Sequence, residues 1–102
     1  MKQNKVLSLL GLAMRGHNLV SGEFQTVESV KTGSAMLVII AEDASGNTKK
    51  LFKDKCSFYE VPVYEYGTKE ELGRAIGKDI RSSIGVCDVG LADAIIKQLE
   101  MK

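Results

Sequence analysis

The apolar run "AMLVIIA", Ala35 to Ala41, restricts the fold of this chain more than any other feature. It contains no charged or polar side chain, and the β-branched residues Val38, Ile39 and Ile40 favour an extended backbone. A strand that is apolar on both faces has to be covered on both sides. The run therefore predicts a central strand between two layers of other elements.

Helical and extended patterns alternate before this run. Apolar residues with helical spacing predict a first helix of about three turns from Val6 to Met14, ending near Gly16. The segment "LVS" that follows predicts a very short extended piece. The next stretch, "SGEFQTVESVKTG" (residues 21–33), predicts a second helix that Gly33 closes at its C-terminal side.

The turn "EDASGNT" after the run predicts a third helix, capped by Asn47 or Thr48 and reaching about Tyr59. Helical spacing divides the residues of this helix between two faces. The inner face is predicted to carry Leu51, Phe52, Cys56 and Tyr59, and the outer, solvated face Lys49, Lys50 and Lys53.

The C-terminal part of the chain continues the alternation. Pro62 lies in "VPVYEY", which predicts an edge strand or a strand start. Thr68 and Glu71 form a capping-box pattern for a short helix that runs to about Ile76 before Gly77. A strand "SSIGVCD" and a closing helix "VGLADAIIKQLEMK" follow. The order predicts an α/β fold, a three-layer α/β/α sandwich with a small central mixed sheet.

Length and charge agree with one domain over residues 1–102. The 14 basic and 13 acidic residues nearly cancel, so composition alone does not indicate a nucleic-acid partner. The charges are unevenly distributed, however. Residues 1–22 and 49–58 each carry a net charge of +3, whereas residues 23–48 carry −3. Local basic patches are therefore possible on a nearly neutral chain.

Motifs of catalysis and cofactor binding are missing. The sequence has no GxGxxG, GxxxxGK[ST], HExxH or GxSxG pattern, and its single histidine, His17, has no evident catalytic partner. Cys56 and Cys87 lack metal-ligand spacing and predict two buried thiols in a reducing cytoplasm. The apolar N-terminal run is too short to cross a membrane. We therefore expect a cytoplasmic protein that is not an enzyme and has no metal, small-molecule cofactor or membrane partner.

Residues 7–95 resemble the kink-turn RNA-binding ribosomal-protein family, which includes the archaeal large-subunit protein seven-Ae. Three motifs in a consistent order carry the resemblance: the glycine-led helix of residues 21–33, the strand with its acidic end in "KTGSAMLVIIAED", and "VPVYEYGTKEELGRAIG". Within the family, the chain looks closest to the small bacterial members of the YlxQ type. The resemblance implies an α/β/α fold that binds structured RNA, a sharply bent duplex with tandem sheared G·A pairs.

The family's RNA surface is formed by the start of the second helix, with the pattern Gly-x-Asn-Glu-x-x-Lys, and by the loop before the last strand. By resemblance this pattern falls on residues 22–28, where Gly22 keeps the family glycine and Gln25 stands at the common Glu. The loop falls on residues 78–81. The predicted RNA-binding residues are Gly22, Glu23, Phe24, Gln25, Glu28, Lys31, Lys78, Asp79, Ile80 and Arg81. The implied partners are ribosomal RNA and ribosomal proteins.

Two positions depart from the family pattern. Phe24 replaces the polar Asn and Glu28 replaces a basic residue that would meet phosphate, so a standard kink-turn should bind more weakly. Phe24 has two interpretations, a buried staple between the first two helices or a residue that stacks on a base. Arg15, His17 and Asn18 either add a basic lip to the site or close a loop.

The same departures support an alternative function. An apolar and an acidic side chain at this surface suit a protein partner, so the chain could be a protein-interaction module that has kept the fold. A small enzyme on a similar frame is a third, weaker interpretation.

Overall fold

The computed structural model describes residues 4–101, which form five helices around one four-stranded sheet. The helices are α1 (Lys5–Arg15), α2 (Glu23–Lys31), α3 (Gly46–Tyr59), α4 (Lys69–Ala75) and α5 (Val89–Glu100). The strands are β1 (Leu19–Ser21), β2 (Leu37–Ile40), β3 (Val63–Glu65) and β4 (Ser83–Val86).

The sheet is mixed, with the strand order β1-β4-β2-β3. β4 is antiparallel to both β1 and β2, whereas β2 and β3 are parallel. Every residue of the two central strands is buried, as the apolar run predicted for β2. Helices α2 and α3 pack on one face of the sheet, and α1, α4 and α5 pack together on the other. The predicted α/β/α sandwich is confirmed.

Strand direction brings several loops to one end of this sheet. β1, β2 and β3 point the same way, because both β1 and β2 are antiparallel to β4 and β3 is parallel to β2. Each of these strands is followed by a helix, so α2, α3 and α4 begin at the carboxyl ends of β1, β2 and β3. The loop that leads into β4 arrives at the same place. We call this end of the sheet, where α2, α3 and α4 begin, the helix-start end.

Side-chain caps fix most of the helix starts. The predicted capping box of α4 is confirmed, with Thr68 and Glu71 each accepting a bond from the other's backbone N–H at 3.0 Å. The predicted cap of α3 was wrong. Ser45, rather than Asn47 or Thr48, has the extended backbone of an N-cap, and its Oγ accepts from the Thr48 N–H at 3.1 Å.

Two further predictions need correction at the surface. Tyr59 does not line the inner face of α3; it is 39% exposed and packs edge-on against Phe58. Cys56 is buried as expected, but Cys87 follows β4 and is only half-buried. Burial raises the pKa of both thiols, and that of Cys56 to about 11. Neither thiol is therefore activated as a nucleophile.

Of the three α3 lysines predicted on the solvated face, Lys50 and Lys53 are exposed and Lys49 is half-buried, and all three form ion pairs. Lys49 Nζ and Lys53 Nζ lie 3.2 and 2.7 Å from the two carboxylate oxygens of Glu65 on β3, and Lys50 pairs with Asp54 at 3.9 Å. The bonds from Lys53 and then Lys49 lower the pKa of the Glu65 carboxyl. Much of the α3 positive charge is thus neutralised locally.

No helix within residues 4–101 has the length and apolar character needed to cross a bilayer.

Candidate nucleic-acid interface

The start of α2 depends on the backbone of Gly22. This residue has φ 89° and ψ 156°, a combination that is essentially restricted to glycine. No atom lies within 4 Å of where a Cβ would be, so the requirement comes from the backbone and not from crowding. The Gly22 N–H donates to the Ser83 carbonyl of β4 at 3.1 Å. That bond ties the beginning of α2 to the sheet.

The first turn of α2 presents free backbone donors. Gly22 supplies no side-chain cap, and the N–H groups of Glu23, Phe24 and Gln25 have no partner among residues 4–101. The other four helices each begin at a capping side chain: Asn4, Ser45, Thr68 and Asp88. Unpaired donors and the positive end of the helix dipole together favour anions and polar base edges. The Gly22 N–H is not one of these free donors, because it already donates to the Ser83 carbonyl.

Small side chains let α2 lie close to the sheet. A Cβ added to Gly85 of β4 would come within 3.0 Å of Ser29 Oγ and 3.1 Å of Val20 Cγ2. Ser29 Oγ donates to the Thr26 carbonyl at 2.8 Å, so this hydroxyl is hydrogen-bonded within α2 and needs no partner from the sheet. The axis of α2 is therefore fixed over β4 and β1, and the first turn projects beyond the end of the sheet.

The loop before β4 is held against α4. A Cβ on Gly73 would lie 2.6 Å from the Asp79 carbonyl oxygen, so only glycine permits this approach. The Lys78 N–H donates to the Gly73 carbonyl at 2.8 Å, and the Arg81 N–H donates to the Lys69 carbonyl at 3.0 Å. These contacts place Lys78, Asp79 and Ile80 on the surface with a defined backbone.

Arg81 joins this loop to the start of α2. Its Nε donates to Ser21 Oγ at 3.0 Å, and its Nη1 donates to the Ile80 carbonyl at 2.7 Å. A guanidinium carries five N–H donors, so others remain for a ligand. The two sequence segments predicted to form one site are thus adjacent in the fold.

The predicted site residues divide into two groups. Glu23, Phe24 and Gln25 are exposed around the first turn of α2, and the loop contributes the exposed Lys78, Asp79 and Ile80. Glu28 lies one turn further along the helix. Lys31 ends it, about 13 Å of helix from Gly22, and its Nζ is 3.8 Å from Glu28 Oε2. Lys31 is therefore at the other end of α2 from the loop.

The exposure of Phe24 excludes one of its two interpretations. Phe24 is 76% exposed, so it is not a buried staple between α1 and α2. Ile80 is also 53% exposed. The helix-start end thus carries two large apolar side chains in water, one from each predicted segment.

The loop after β2 also reaches this end, although the sequence analysis did not include it in the site. The Glu42 N–H donates to the Gly67 carbonyl at 2.7 Å, and Asp43 Oδ1 accepts from the Lys69 N–H at 2.8 Å. Asp43 thus stabilises the start of α4, while the Glu42 side chain stays exposed. No local sequence pattern places this loop at the helix-start end, because its position follows from the strand directions in the folded sheet.

The turn between α1 and β1 closes a loop instead of adding to the site. The Asn18 N–H donates to the Ala13 carbonyl and its carbonyl accepts from Cys87, both at 2.8 Å. His17 occupies a left-handed conformation, with φ 60°. Asn18 and the turn before it lie where β1 begins and β4 ends. This end of the sheet is opposite the helix-start end. Within residues 4–101, no cluster of His, Cys, Asp and Glu could hold a metal ion.

Comparison with known proteins identifies the family. Residues 4–96 match the model of the ribosomal protein L7Ae/L30e/S12e/Gadd45 family. The chain belongs to this family. The resemblance given by the three sequence motifs is therefore confirmed.

The relatives include both bacterial and archaeal proteins. The RNA-binding protein YlxQ of Bacillus subtilis (strain 168) is 42% identical over 92 residues, covering 90% of this chain and 92% of the relative. YlxQ of Enterococcus faecium is 43% identical over 90 residues, 88% of this chain and 86% of that protein. The large ribosomal subunit protein eL30 of Sulfurisphaera tokodaii is 36% identical over 85 residues, 81% of this chain and 80% of that protein.

Solved structures agree with this assignment. A protein of unknown function from Bacillus halodurans C is 44% identical, with a TM-score of 0.94 over 97% of this chain and all of that one. The 15.5kD RNA-binding protein of Giardia lamblia has a TM-score of 0.81 over 97% of this chain and 88% of its own, at 22% identity. At this identity, the likeness to the Giardia lamblia protein shows a shared fold and nothing more.

Proposed function

We propose that this chain is a non-catalytic RNA-binding protein that acts as a single domain, is associated with the ribosome and works in the cytoplasm. Its ligand would be structured RNA of the kink-turn type, received at the helix-start end. The observation that carries the proposal is the uncapped first turn of α2, held beside the Arg81 loop by the Arg81–Ser21 bond. The names of the YlxQ relatives agree with it.

The two segments would divide the work of recognition. The free N–H groups of Glu23, Phe24 and Gln25 would donate to phosphate or base edges, as helix starts do for anions. The Gln25 amide, which both donates and accepts, would contact a base in the opened groove. Lys78 and Arg81 would contact the phosphate backbone from the loop. Lys31, at the far end of α2, would reach phosphate only on RNA that follows the helix.

A filter-binding titration with kink-turn RNA and with ribosomal RNA, each at two salt concentrations, tests this function. We expect saturable binding that weakens as salt rises, because phosphate contacts release counterions. The control is a duplex of the same length in which Watson–Crick pairs replace the sheared G·A pairs. Absence of binding to either RNA at low salt would remove the proposal.

A protein-interaction module is the second candidate, and the exposure of Phe24 beside the acidic Glu28 favours it. A tagged chain recovered from cell extract distinguishes the two. A partner protein that survives ribonuclease treatment, and is lost when Phe24 is replaced by Ala, would support this candidate. Release of all partners by ribonuclease would support RNA.

A further inference from the structure

A pair of aromatic rings is exposed at the C-terminal end of α3. Phe58 is 78% exposed and Tyr59 is 39% exposed, and their ring centroids lie 4.9 Å apart in an edge-on arrangement. α3 has 14 residues and is therefore about 21 Å long, and its other end begins at the helix-start end. The surface around the two rings is thus separate from the proposed RNA surface.

Tyr59 lines two recesses of this surface. The first, of about 390 Å³, lies along α3, and we call it the α3 recess; it is lined by Leu51, Asp54, Lys55, Phe58 and Tyr59. The second, of about 430 Å³, lies at the C-terminal ends of α2 and α3, and we call it the α2–α3 recess. Its apolar lining consists of Val30, Ala35, Met36, Val61 and Pro62, and Lys31 and Glu60 are among its polar residues. A projecting aromatic ring therefore lies close to an apolar recess.

Two charged side chains in these recesses have no ion-pair partner within residues 4–101. They are Lys55 in the α3 recess and Glu60 in the α2–α3 recess. The other charged residues of the two recesses, Asp54 and Lys31, are each paired within their own helix. The surface around Tyr59 thus carries one free charge of each sign.

The backbone of Glu60 is unusual for a residue with a side chain. It ends α3 in the left-handed conformation, with φ 59° and ψ 47°. Glycine is the common residue at such a helix end, because a Cβ makes this conformation costly. Within residues 4–101 only His17 and Glu60 have a positive φ without being glycine. The Glu60 carboxylate is therefore present where the helix end alone would favour no side chain.

We infer that this end of α3 is the interface of a homodimer, in which Phe58 of each copy enters the α2–α3 recess of the other. A two-fold interface uses the same surface of both copies, so that surface has to be complementary to itself. A projecting ring beside an apolar recess meets this condition. Lys55 and Glu60 meet it too, because the lysine of each copy then faces the glutamate of the other.

Charge favours a second copy over a different protein at this surface. A partner whose contact surface has one charge sign would pair with Lys55 or with Glu60 and repel the other. A second copy pairs both. Exposed pairs of this kind contribute orientation and specificity, while a buried aromatic anchor contributes most of the affinity.

The dimer leaves the helix-start end of each copy free, because that end lies at the opposite end of α3. Two RNA surfaces would then be held in one particle, facing away from the shared interface. The inference goes beyond the proposed function and does not rest on it, since association of the chain with itself is measured without RNA.

The first test is sedimentation velocity of the RNA-free chain from micromolar to millimolar concentration. We expect a dimer fraction that rises with concentration and dissociates on dilution. Phe58→Ala should weaken dimerisation about tenfold, as loss of an interface anchor does. The matched control is Phe24→Ala, which removes an equally exposed ring at the other end of the molecule and should leave dimerisation unchanged.

The second test reverses the two free charges. Lys55→Glu and Glu60→Lys should each weaken dimerisation at least tenfold, because like charges then face each other twice in the two-fold interface. An equimolar mixture of the two variants should form a heterodimer, since every facing pair in it again has opposite signs. Lys50→Glu is the control on the same helix, where Lys50 is 79% exposed and lines neither recess, and should leave dimerisation unchanged.

The outcomes identify the occupant of the surface. A wild-type chain that stays monomeric at millimolar concentration would overturn the inference, and so would equal dimer affinities of Phe58→Ala and Phe24→Ala. A mixture of the two charge variants that does not associate would overturn the two-fold arrangement. A monomeric chain that binds a purified ribosomal protein only when Phe58 is intact would assign the surface to that protein instead. Failure of RNA binding would overturn the proposed function and leave these results unaffected.

Discussion

The guanidinium Nε of Arg81 donates to Ser21 Oγ at 3.0 Å across a sequence separation of 60 residues. This bond joins the loop before β4 to the residue that precedes Gly22. It gives a fixed spacing between the cationic loop and the uncapped start of α2. If RNA contacts both, the bond prepares the surface before binding.

Arg81→Ala should therefore weaken kink-turn RNA binding by about tenfold. This is more than the loss of one charge alone would cause, because the substitution removes a cation and also releases the loop. Ser21→Ala should have a smaller effect in the same direction. The double variant should bind no worse than Arg81→Ala, since residues that share one hydrogen bond are coupled. Additive losses in a filter-binding double-mutant cycle would show that the bond does not contribute to the site.

Gly22→Ala should lower the free energy of unfolding by about 1–3 kcal/mol, because the backbone at φ 89° and ψ 156° is strained for any residue with a Cβ. The matched control is Gly46→Ala in the first turn of α3, where a Cβ would also meet no atom within 4 Å and φ is not positive. Urea denaturation measures both. Equal stability of the two variants would argue against this backbone requirement.

Gly73→Ala should displace the loop that contains Asp79, since its Cβ would lie 2.6 Å from that carbonyl oxygen. We expect a loss of about 1–3 kcal/mol of stability, typical of overpacking, together with weaker RNA binding. Gly90→Ala on α5 is the control, because its nearest contact would be Asp88 Oδ2 at 3.4 Å. Wild-type stability and wild-type RNA affinity in Gly73→Ala would show that the loop can move freely.

Cys56 should make the fold less stable at high pH. Burial raises its pKa from 9.0 to about 11 in the folded state, so an unfolded chain releases the thiol proton first. Stability is then fully present below pH 9 and falls as the pH rises from 9 towards 11. Cys56→Ala should show a shallower decline over this window than the wild type in urea denaturation. An equal slope would mean that Cys56 does not carry the effect.

Much of this fold follows from local sequence patterns. The run at Ala35–Ala41 predicted a doubly covered strand, and the Thr68–Glu71 pattern predicted a helix start, because both effects act within a few residues. The cap of α3 was misplaced since Ser45, Asn47 and Thr48 are all chemically able to cap a helix. The backbone angles of the folded chain decide which of the three residues is the N-cap.

The candidate site was predictable in part. Gly22 and the residues after it were found through the family pattern, but the use of the Gly22 N–H by Ser83 depends on strand pairing between distant segments. The exposure of Phe24 and the position of Glu42 at the helix-start end likewise depend on how α2 and the strands pack. Such long-range relationships have no local sequence signal.

The most direct test of where RNA is received is a titration of the isotope-labelled chain with kink-turn RNA, followed in ¹H–¹⁵N correlation spectra. We expect the largest amide shifts at Glu23, Phe24, Gln25 and in the loop from Lys78 to Arg81. The amides of Phe58 and Tyr59, at the opposite end of α3, should stay unchanged. Shifts confined to Phe58 and Tyr59, with none at the start of α2, would contradict the account.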